Sequence, residues 1–543
     1  MHPSTLAKRG TILVFFVFTA FYFYGLGHLP FIGPDEPRYA EVAHEMLLRR
    51  DWITPTLAGH LWFEKPALLY WLIIAAFRIG GVSEASARLG AALCGILTIA
   101  GVIWIAKRVE RDSFGDTASV AFFSALVAGA SGGLIAFSRA ASFDIVITAT
   151  VTWSLAFFFA FELANATAQR RRLLVGFYFA IGVSLLAKGL VGFVIPFGVI
   201  GAYYTLRGKA PRRELLTSVL WGVPLSLLIS ASWYGPMIWK HGAPFLVEFI
   251  IKHHFQRYAT NVYHHPGPIY YYLEILPALT LPWTAYFFAA MWRARNSIWR
   301  GASDAQSKLQ TFAVAWLILP LIFFSVSSSK LPGYILPALP AAALLTGLYL
   351  AKTRGGSATW PTRVTGVLSL LSAIALLVFA RQSGKISIVI AATVAAICAL
   401  VAIATLFLRK QSLAPAVTIA AATVAIVIIA SIKIAPPLVE QETSKTLIQI
   451  ANESGYRDLP IFGLQRDDRT PEFYGAGRVV YGEDHEPVMY DGIGQVVYES
   501  HARGTMLFLV PLADVDLLLQ DESVRAQRLA DNGRIAIVVV TPL

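Results

Sequence analysis

Apolar residues run in long unbroken stretches over most of this chain, and polar residues are confined to short connections between them. Apolar windows near 11–27, 86–106, 118–136, 145–164, 172–187, 189–205, 215–234, 270–292, 310–326, 331–350, 363–380, 386–408 and 414–434 read as membrane-crossing helices, about thirteen in all. A shorter apolar segment, 67–80, reads as interfacial or re-entrant. Beyond residue 434 the pattern changes. A helical stretch, Leu438–Ser454, precedes strand-like runs at Leu459–Phe462, Arg478–Tyr481, Thr505–Leu509 and Ile535–Val540, with helical patterning again over Asp514–Gln527. The pattern predicts a polytopic α-helical membrane protein, with a transmembrane domain over 1–435 and a small extramembrane α/β domain over 436–543.

Charge orients this picture. Lys107, Arg108 and Arg111, then Arg170 to Arg172, then Arg207 with Lys209, Arg212 and Arg213, then Arg293 with Arg295 and Arg300, then Lys352 with Arg354 and Arg363, then Arg409 and Lys410 fall in alternate connections, as expected of cytoplasmic loops. The formal net charge of +12 is thereby explained by topology, and a nucleic-acid partner is excluded. The remaining connections mix acids, bases and histidines, so one face carries the topology signal and the other the candidate chemistry. The N-terminus is expected inside and 436–543 outside. The first apolar run follows Lys8 and Arg9 but lacks a convincing small-x-small cleavage site, so it reads as an uncleaved span. Cys94 and Cys398 lie inside apolar runs and form no metal spacing.

Within the polar connections, Ile32 to Pro66 stands out. It holds Gly33-Pro34-Asp35-Glu36-Pro37-Arg38-Tyr39 near one end and Trp62-Phe63-Glu64-Lys65-Pro66 at the other. Prolines around Asp35 stiffen the backbone that presents it, and charges at a membrane surface need water or partners. After Pro37 the apolar positions share one helical face, which predicts a helix along the interface. Asp144 begins an apolar run, where complementing the helix dipole competes with a chemical role. Lys65, Lys188, Arg257 and Lys330 border apolar runs on the same face, and snorkelling alone would account for Lys188. Such cations suit a lipid phosphate whose leaving group gains negative charge. His253 and His254, then His264 and His265, with Glu64 or Asp35, offer donors for a divalent metal. Tyr334 reads as a boundary tyrosine, and Glu483 to Glu486, with Asp484 and His485, as a solvated turn.

These motifs resemble a known family. Pro34-Asp35-Glu36-x-Arg38-Tyr39-Ala40-Glu41, then Phe63-Glu64-Lys65-Pro66, Lys188-Gly189, His254-Phe-Gln-Arg257-Tyr258, Leu281-Pro282-Trp283 and Lys330-Leu331-Pro332-x-Tyr334 resemble the bacterial lipid A aminoarabinose transferases. Those are polyprenyl-phosphate-dependent glycosyltransferases of the GT-C type, similar to protein mannosyltransferases. The match runs in order from residue 33 to 337.

The resemblance implies a GT-C fold whose active-site loop, 28–85, lies on the periplasmic face of the inner membrane. It implies that a sugar, 4-amino-4-deoxy-L-arabinose or a similar pentose or hexose, moves from undecaprenyl phosphate to lipid A phosphate. Asp35 would be the main catalytic carboxylate and Asp144 a second acid. Lys65 and Arg257, with Lys188 and Lys330, would bind the donor phosphate. Glu36, Arg38, Tyr39 and Tyr334 would line the substrate pocket. Glu64 and His254 would hold a divalent metal, zinc or magnesium-like. Another acceptor (protein, hopanoid or other glycan) is the nearest alternative. A lipid-linked sugar transporter would need paired repeats with broken helices in matching halves, and none is visible. A non-catalytic scaffold leaves Asp35, Glu64 and Lys65 unexplained.

Overall fold

The computed structural model of the chain describes residues 3–113, 120–260, 266–299, 304–353, 360–407, 413–464, 468–483 and 485–543. His264, His265 and Asp484 lie outside these residues. The chain divides into two compact units. One comprises Met1–Tyr24, Phe63–Leu69 and Arg88–Ile429, and the other Gly25–Trp62, Tyr70–Ala87 and Ala430–Leu543.

The first unit is built from apolar helices. The described part of each apolar window lies mostly on a helix or a bent pair of helices, because in lipid each backbone polar group must be satisfied within its own segment. Among the described residues, eight helices are long and apolar enough to cross a membrane, or up to ten if each bent pair is one span. Thirteen is therefore not reached on length and composition. Arg9–Phe23 and Val191–Arg207 are shorter apolar helices, and Thr167–Lys188 opens with Arg170, Arg171 and Arg172.

The two bent pairs explain each other. Val120–Gly129 and Gly132–Ser138 meet at 56°, and Tyr271–Leu279 and Thr284–Arg295 at 115°. A break leaves backbone groups without helical partners. Here the Gly132 N–H donates to the Leu281 carbonyl at 2.7 Å and the Ser131 hydroxyl to the Leu279 carbonyl at 3.0 Å. The interrupted stretches thus satisfy one another inside protein. The run split by Lys188 is a helix end. Thr167–Lys188 stops there, Gly189 takes φ +66°, and Val191–Arg207 begins. The helix Arg213–Leu246 carries three prolines and a non-helical Gly242, then continues as a π-helical stretch, Val247–Gln256. His253 and His254 therefore sit on a wound segment rather than in a loop.

In the second unit, Asp35–Leu48 is a helix with Asp35 and Glu36 in its first turn, where the N-terminal dipole favours acids. A tight hairpin pairs Thr56–Leu57 with His60–Leu61, and its turn has Gly59 at φ +79°. Segment 67–80 forms the 13-residue helix Leu68–Gly80.

The C-terminal part of this unit contains a five-stranded mixed sheet in the order Met489–Tyr490, Ile461–Leu464, Met506–Pro511, Ile535–Pro542, Val524–Asp531. The first three strands are parallel and the last two pairings antiparallel. Strand alternation feeds two cores. Phe462, Phe508 and Val538 face one side, and Ile461, Leu507 and Ile537 the other. Two expectations are corrected. The patterning of Asp514–Gln527 is a helix, Leu512–Leu519, followed by the edge strand Val524–Asp531, whose charged residues suit an edge. Arg478–Tyr481 pairs only through isolated bridges.

Candidate functional site

In the first unit, motif residues far apart in sequence form one chain of contacts. The Glu64 carboxylate accepts from Lys65 Nζ, and from Arg257 at 2.8 Å through the same oxygen, Oε1. Arg257 Nε donates to the Tyr334 hydroxyl at 3.0 Å. The Tyr334 ring carries the Lys188 ammonium 4.8 Å from its centroid, and Lys188 is ion-paired with Asp144. Lys65, Glu64, Arg257, Tyr334, Lys188 and Asp144 are thus continuous, with three cations against two carboxylates.

Local structure dictates each position. Asp144 lies in the first turn of Phe143–Leu163, where Ser142 caps the helix by accepting from the Asp144 N–H at 3.1 Å. Lys188 ends its helix, where the dipole favours a cation. Tyr334 rides on the 3-10 turn Pro332–Ala338, pinned by the Trp316 indole N–H on the Pro337 carbonyl at 2.7 Å. Gly333 is required there. A Cβ at that position would lie 2.0 Å from Asp144 Oδ2. Arg257 follows the π-helical stretch, and the Ser328 N–H donates to the Tyr258 carbonyl at 2.9 Å, tying that helix end to the loop before Lys330.

The electrostatics are those of a crowded cationic site. Burial works against the Glu64 carboxylate, but the Lys65 ammonium and the Arg257 guanidinium outweigh it and hold its pKa well below the usual range. Burial, and then Arg257, push the Lys65 ammonium down to about 8, against the pull of Glu64. Lys330 stands outside this chain of contacts: its buried ammonium donates to the Ser327 carbonyl at 2.6 Å.

The second unit carries the other motif residues. Asp35 is exposed in its helix's first turn, with the Tyr39 hydroxyl 3.3 Å from Oδ1. Glu36 and Tyr39 are buried, and Tyr39 packs edge-on against Tyr70. Arg38 lies 5.1 Å over the Trp62 ring, with Nε 3.7 Å from Glu472 Oε2. Glu36, Arg38 and Tyr39 are therefore parts of a packed structure. Glu472, which no sequence motif singles out, is 3% exposed. A lone acid after proline offers no local signal of burial.

The expected metal ligands, Glu64 and His254, are placed as follows. Among the described residues no three His, Cys, Asp or Glu side chains converge as a metal-holding group. Glu64 already serves two cations. The His254 Nδ1 lies 2.6 Å from the Phe249 carbonyl, so that nitrogen bears the proton and Nε2 keeps its lone pair. Nε2 in turn lies against Gly189, 2.0 Å from where a Cβ would be.

Known proteins share this architecture. The family model described as dolichyl-phosphate-mannose-protein mannosyltransferase matches residues 10–291. An undecaprenyl phosphate-alpha-4-amino-4-deoxy-L-arabinose arabinosyl transferase 2 of Pseudomonas fluorescens is 30% identical over 378 residues, 69% of this chain and 62% of that protein. One from Sodalis glossinidius is 32% identical, over 62% of this chain and 58% of its own length. The chain thus spans about six-tenths of the curated relatives it matches. Crystal structures of ArnT from Cupriavidus metallidurans, bound to undecaprenyl phosphate and in the apo state, superpose with TM-scores of 0.78 and 0.79 at 23% identity. They cover 97% and 98% of both chains, and the fold, many apolar helices with a C-terminal sheet region, is the same.

Proposed function

The chain belongs to the dolichyl-phosphate-mannose-protein mannosyltransferase family, and we propose that it is a membrane glycosyltransferase moving 4-amino-4-deoxy-L-arabinose from undecaprenyl phosphate to a lipid A phosphate. The named relatives and the ordered motifs support the class. The observation that carries the reading is the continuous cluster from Lys65 to Asp144, which offers an anionic headgroup a cationic surplus at helix ends.

In this reading an oxygen of the acceptor phosphate attacks the anomeric carbon of the sugar. The bond from that carbon to the donor phosphate oxygen breaks, and its electrons stay on the phosphate. The leaving undecaprenyl phosphate then carries about two negative charges, one more than as a diester. Lys65 and Arg257 meet that extra charge, which exists only late in the reaction, so they favour the transition state over the ground state. Arg257 grips with a planar fork whose orientation Glu64 and Tyr334 set. Glu64 lets two like charges sit side by side before the donor arrives. Lys188 and Lys330 are further phosphate-binding cations, and Asp144 holds Lys188. The acceptor phosphate is already anionic and needs no general base. Asp35 is assigned to orienting it, on the strength of the motif and of its exposure at a helix start.

The same reading makes the protein a multi-pass inner-membrane protein of about thirteen spans. Its N-terminus is cytoplasmic, and loop 28–85 and the domain 436–543 are periplasmic. Reporter fusions near Arg171 and Gln441 are expected on opposite sides.

The test is transfer by purified protein from undecaprenyl-phosphate aminoarabinose to lipid A, read by mass spectrometry. The expected products are sugar-bearing lipid A and free undecaprenyl phosphate. Asp35→Asn should lower turnover by on the order of 10². Wild-type protein that binds the donor and transfers to no lipid A phosphate would sink the reading.

A further inference from the structure

Inside the second unit, a short segment of the C-terminal region grips the helix that carries Asp35. Thr470 to Tyr474 includes the helical turn Pro471–Tyr474. The Tyr474 hydroxyl accepts from the Phe31 N–H at 2.8 Å and donates to Glu84 Oε1 at 2.9 Å. Lys445 Nζ reaches the same Glu84 oxygen at 2.6 Å. The Phe473 ring packs edge-on to Phe31, with centroids 4.9 Å apart. Glu472 is the centre of this contact. Arg469 donates to its Oε1 at 3.1 Å, and Arg38 approaches its Oε2. Arg38 is one turn from Asp35 on the same helix.

A carboxylate this deeply buried is costly unless its partners are held in place. Its neighbours here are Arg469 and Tyr481 of the C-terminal region and, 3.7 Å away, Arg38 of the Asp35 helix, and burial still lifts the carboxyl above the usual range. Seating of that helix brings the Arg38 charge to the carboxylate and offsets part of the cost, so Glu472 couples the position of the helix to the folding of the C-terminal segment. Phe31 and Tyr474 fix the approach to the helix in the same way, through the hydrogen bond from the Phe31 N–H to the Tyr474 hydroxyl.

We propose that Glu472 and Tyr474 are positioning residues for the transfer reaction: the segment Thr470–Tyr474 is a brace that sets the orientation of helix Asp35–Leu48, and with it the Asp35 carboxylate. The proposal rests on the transferase reading for its kinetic arm, and on geometry alone for its structural arm.

Glu472→Gln keeps the shape of the side chain and removes its charge. Tyr474→Phe removes the acceptor of the Phe31 N–H. In full-length protein each is expected to lower kcat about tenfold or more while the KM for the undecaprenyl-phosphate donor stays unchanged, since misplacement of a reacting group costs rate. Glu472→Asp, which keeps the charge, should recover part of the loss. Hydrogen exchange supplies the second readout. Amides of 31–48 should exchange faster in both variants, while those of strands Met506–Pro511 and Ile535–Pro542 keep wild-type protection. Wild-type kcat in both variants overturns the proposal. So does faster exchange spread equally over helix and sheet, which would mark a merely destabilised domain. If even the wild-type chain transfers no sugar, the transferase reading fails, and exchange over 31–48 still decides whether the brace exists.

Discussion

The helix Phe143–Leu163 carries an acid near each end, and the two ends are built differently. Asp144 pairs with Lys188, its side chain keeps 17% of its surface exposed, and the cations around it outnumber the acids. Glu162 is 5% exposed and surrounded. It accepts from the Tyr204 hydroxyl, with Arg212 at 3.8 Å and Arg207 at 4.0 Å. Arg212 also donates to the Glu162 backbone carbonyl at 3.2 Å, and Arg207 to the Tyr203 hydroxyl at 2.8 Å. Both acids are paired because an unpaired charge among apolar helices is too costly. Pairing therefore does not identify a site. What separates the ends is a partial opening, glycine close to the acid, and arginine and lysine drawn from separate motifs rather than from one basic loop.

The largest expected effect breaks the comparison outright. Lys65→Ala and Arg257→Ala should each lower turnover at saturating donor by on the order of 10²–10³ in protein that remains folded. Glu162→Gln should leave turnover per folded molecule unchanged. Equal losses of turnover at both ends would erase the distinction.

The converse holds for stability. Glu162→Gln leaves two arginines facing a neutral amide, and breaking such a buried pair costs about 3–5 kcal/mol. Unfolding of the purified protein in mixed micelles should show it, with a smaller change for Asp144→Asn, which is partly solvated. The reverse ranking would make Asp144 the structural acid.

Gly333→Ala sharpens the picture at the Asp144 end. Its Cβ would meet the Asp144 carboxylate and displace it, and turnover should fall about tenfold. Gly201→Ala, where nothing lies within 4 Å of the new Cβ, should be silent.

The smallest effect is in pH. The Lys65 pKa is depressed to about 8, so its charge is present below that pH and lost above it. Turnover should decline on the alkaline side with a midpoint near pH 8, about twofold down there. Lys65→Arg, always protonated, should remove that limb even if its overall rate is lower. An alkaline limb that survives in Lys65→Arg belongs to another group.

Much of the fold was legible along the chain for a physical reason. Lipid admits only segments that satisfy their own backbone, so apolar windows had to become helices, and the strands Met506–Pro511 and Ile535–Pro542 announced themselves as β-branched and apolar runs. The edge strand Val524–Asp531 did not, because an edge presents charges outward and its pattern resembles an exposed helix. The motifs also singled out Lys65, Arg257 and Asp144, which the fold brings into one run of contacts.

Their partners were not. Arg257 finds Glu64 across 193 positions, Tyr334 across 77, and Lys188 finds Asp144 across 44. Periodicity reports only which face of a segment is apolar, and it carries no information about which helix ends meet. Sequence by itself determined that these charges stand at the ends of apolar helices. Tertiary packing decided that Glu64 serves two cations and that Asp144 closes on a lysine. It also decided that Arg38 lies 3.7 Å from a buried glutamate, because a charge removed from water takes whichever opposite charge the fold brings within reach.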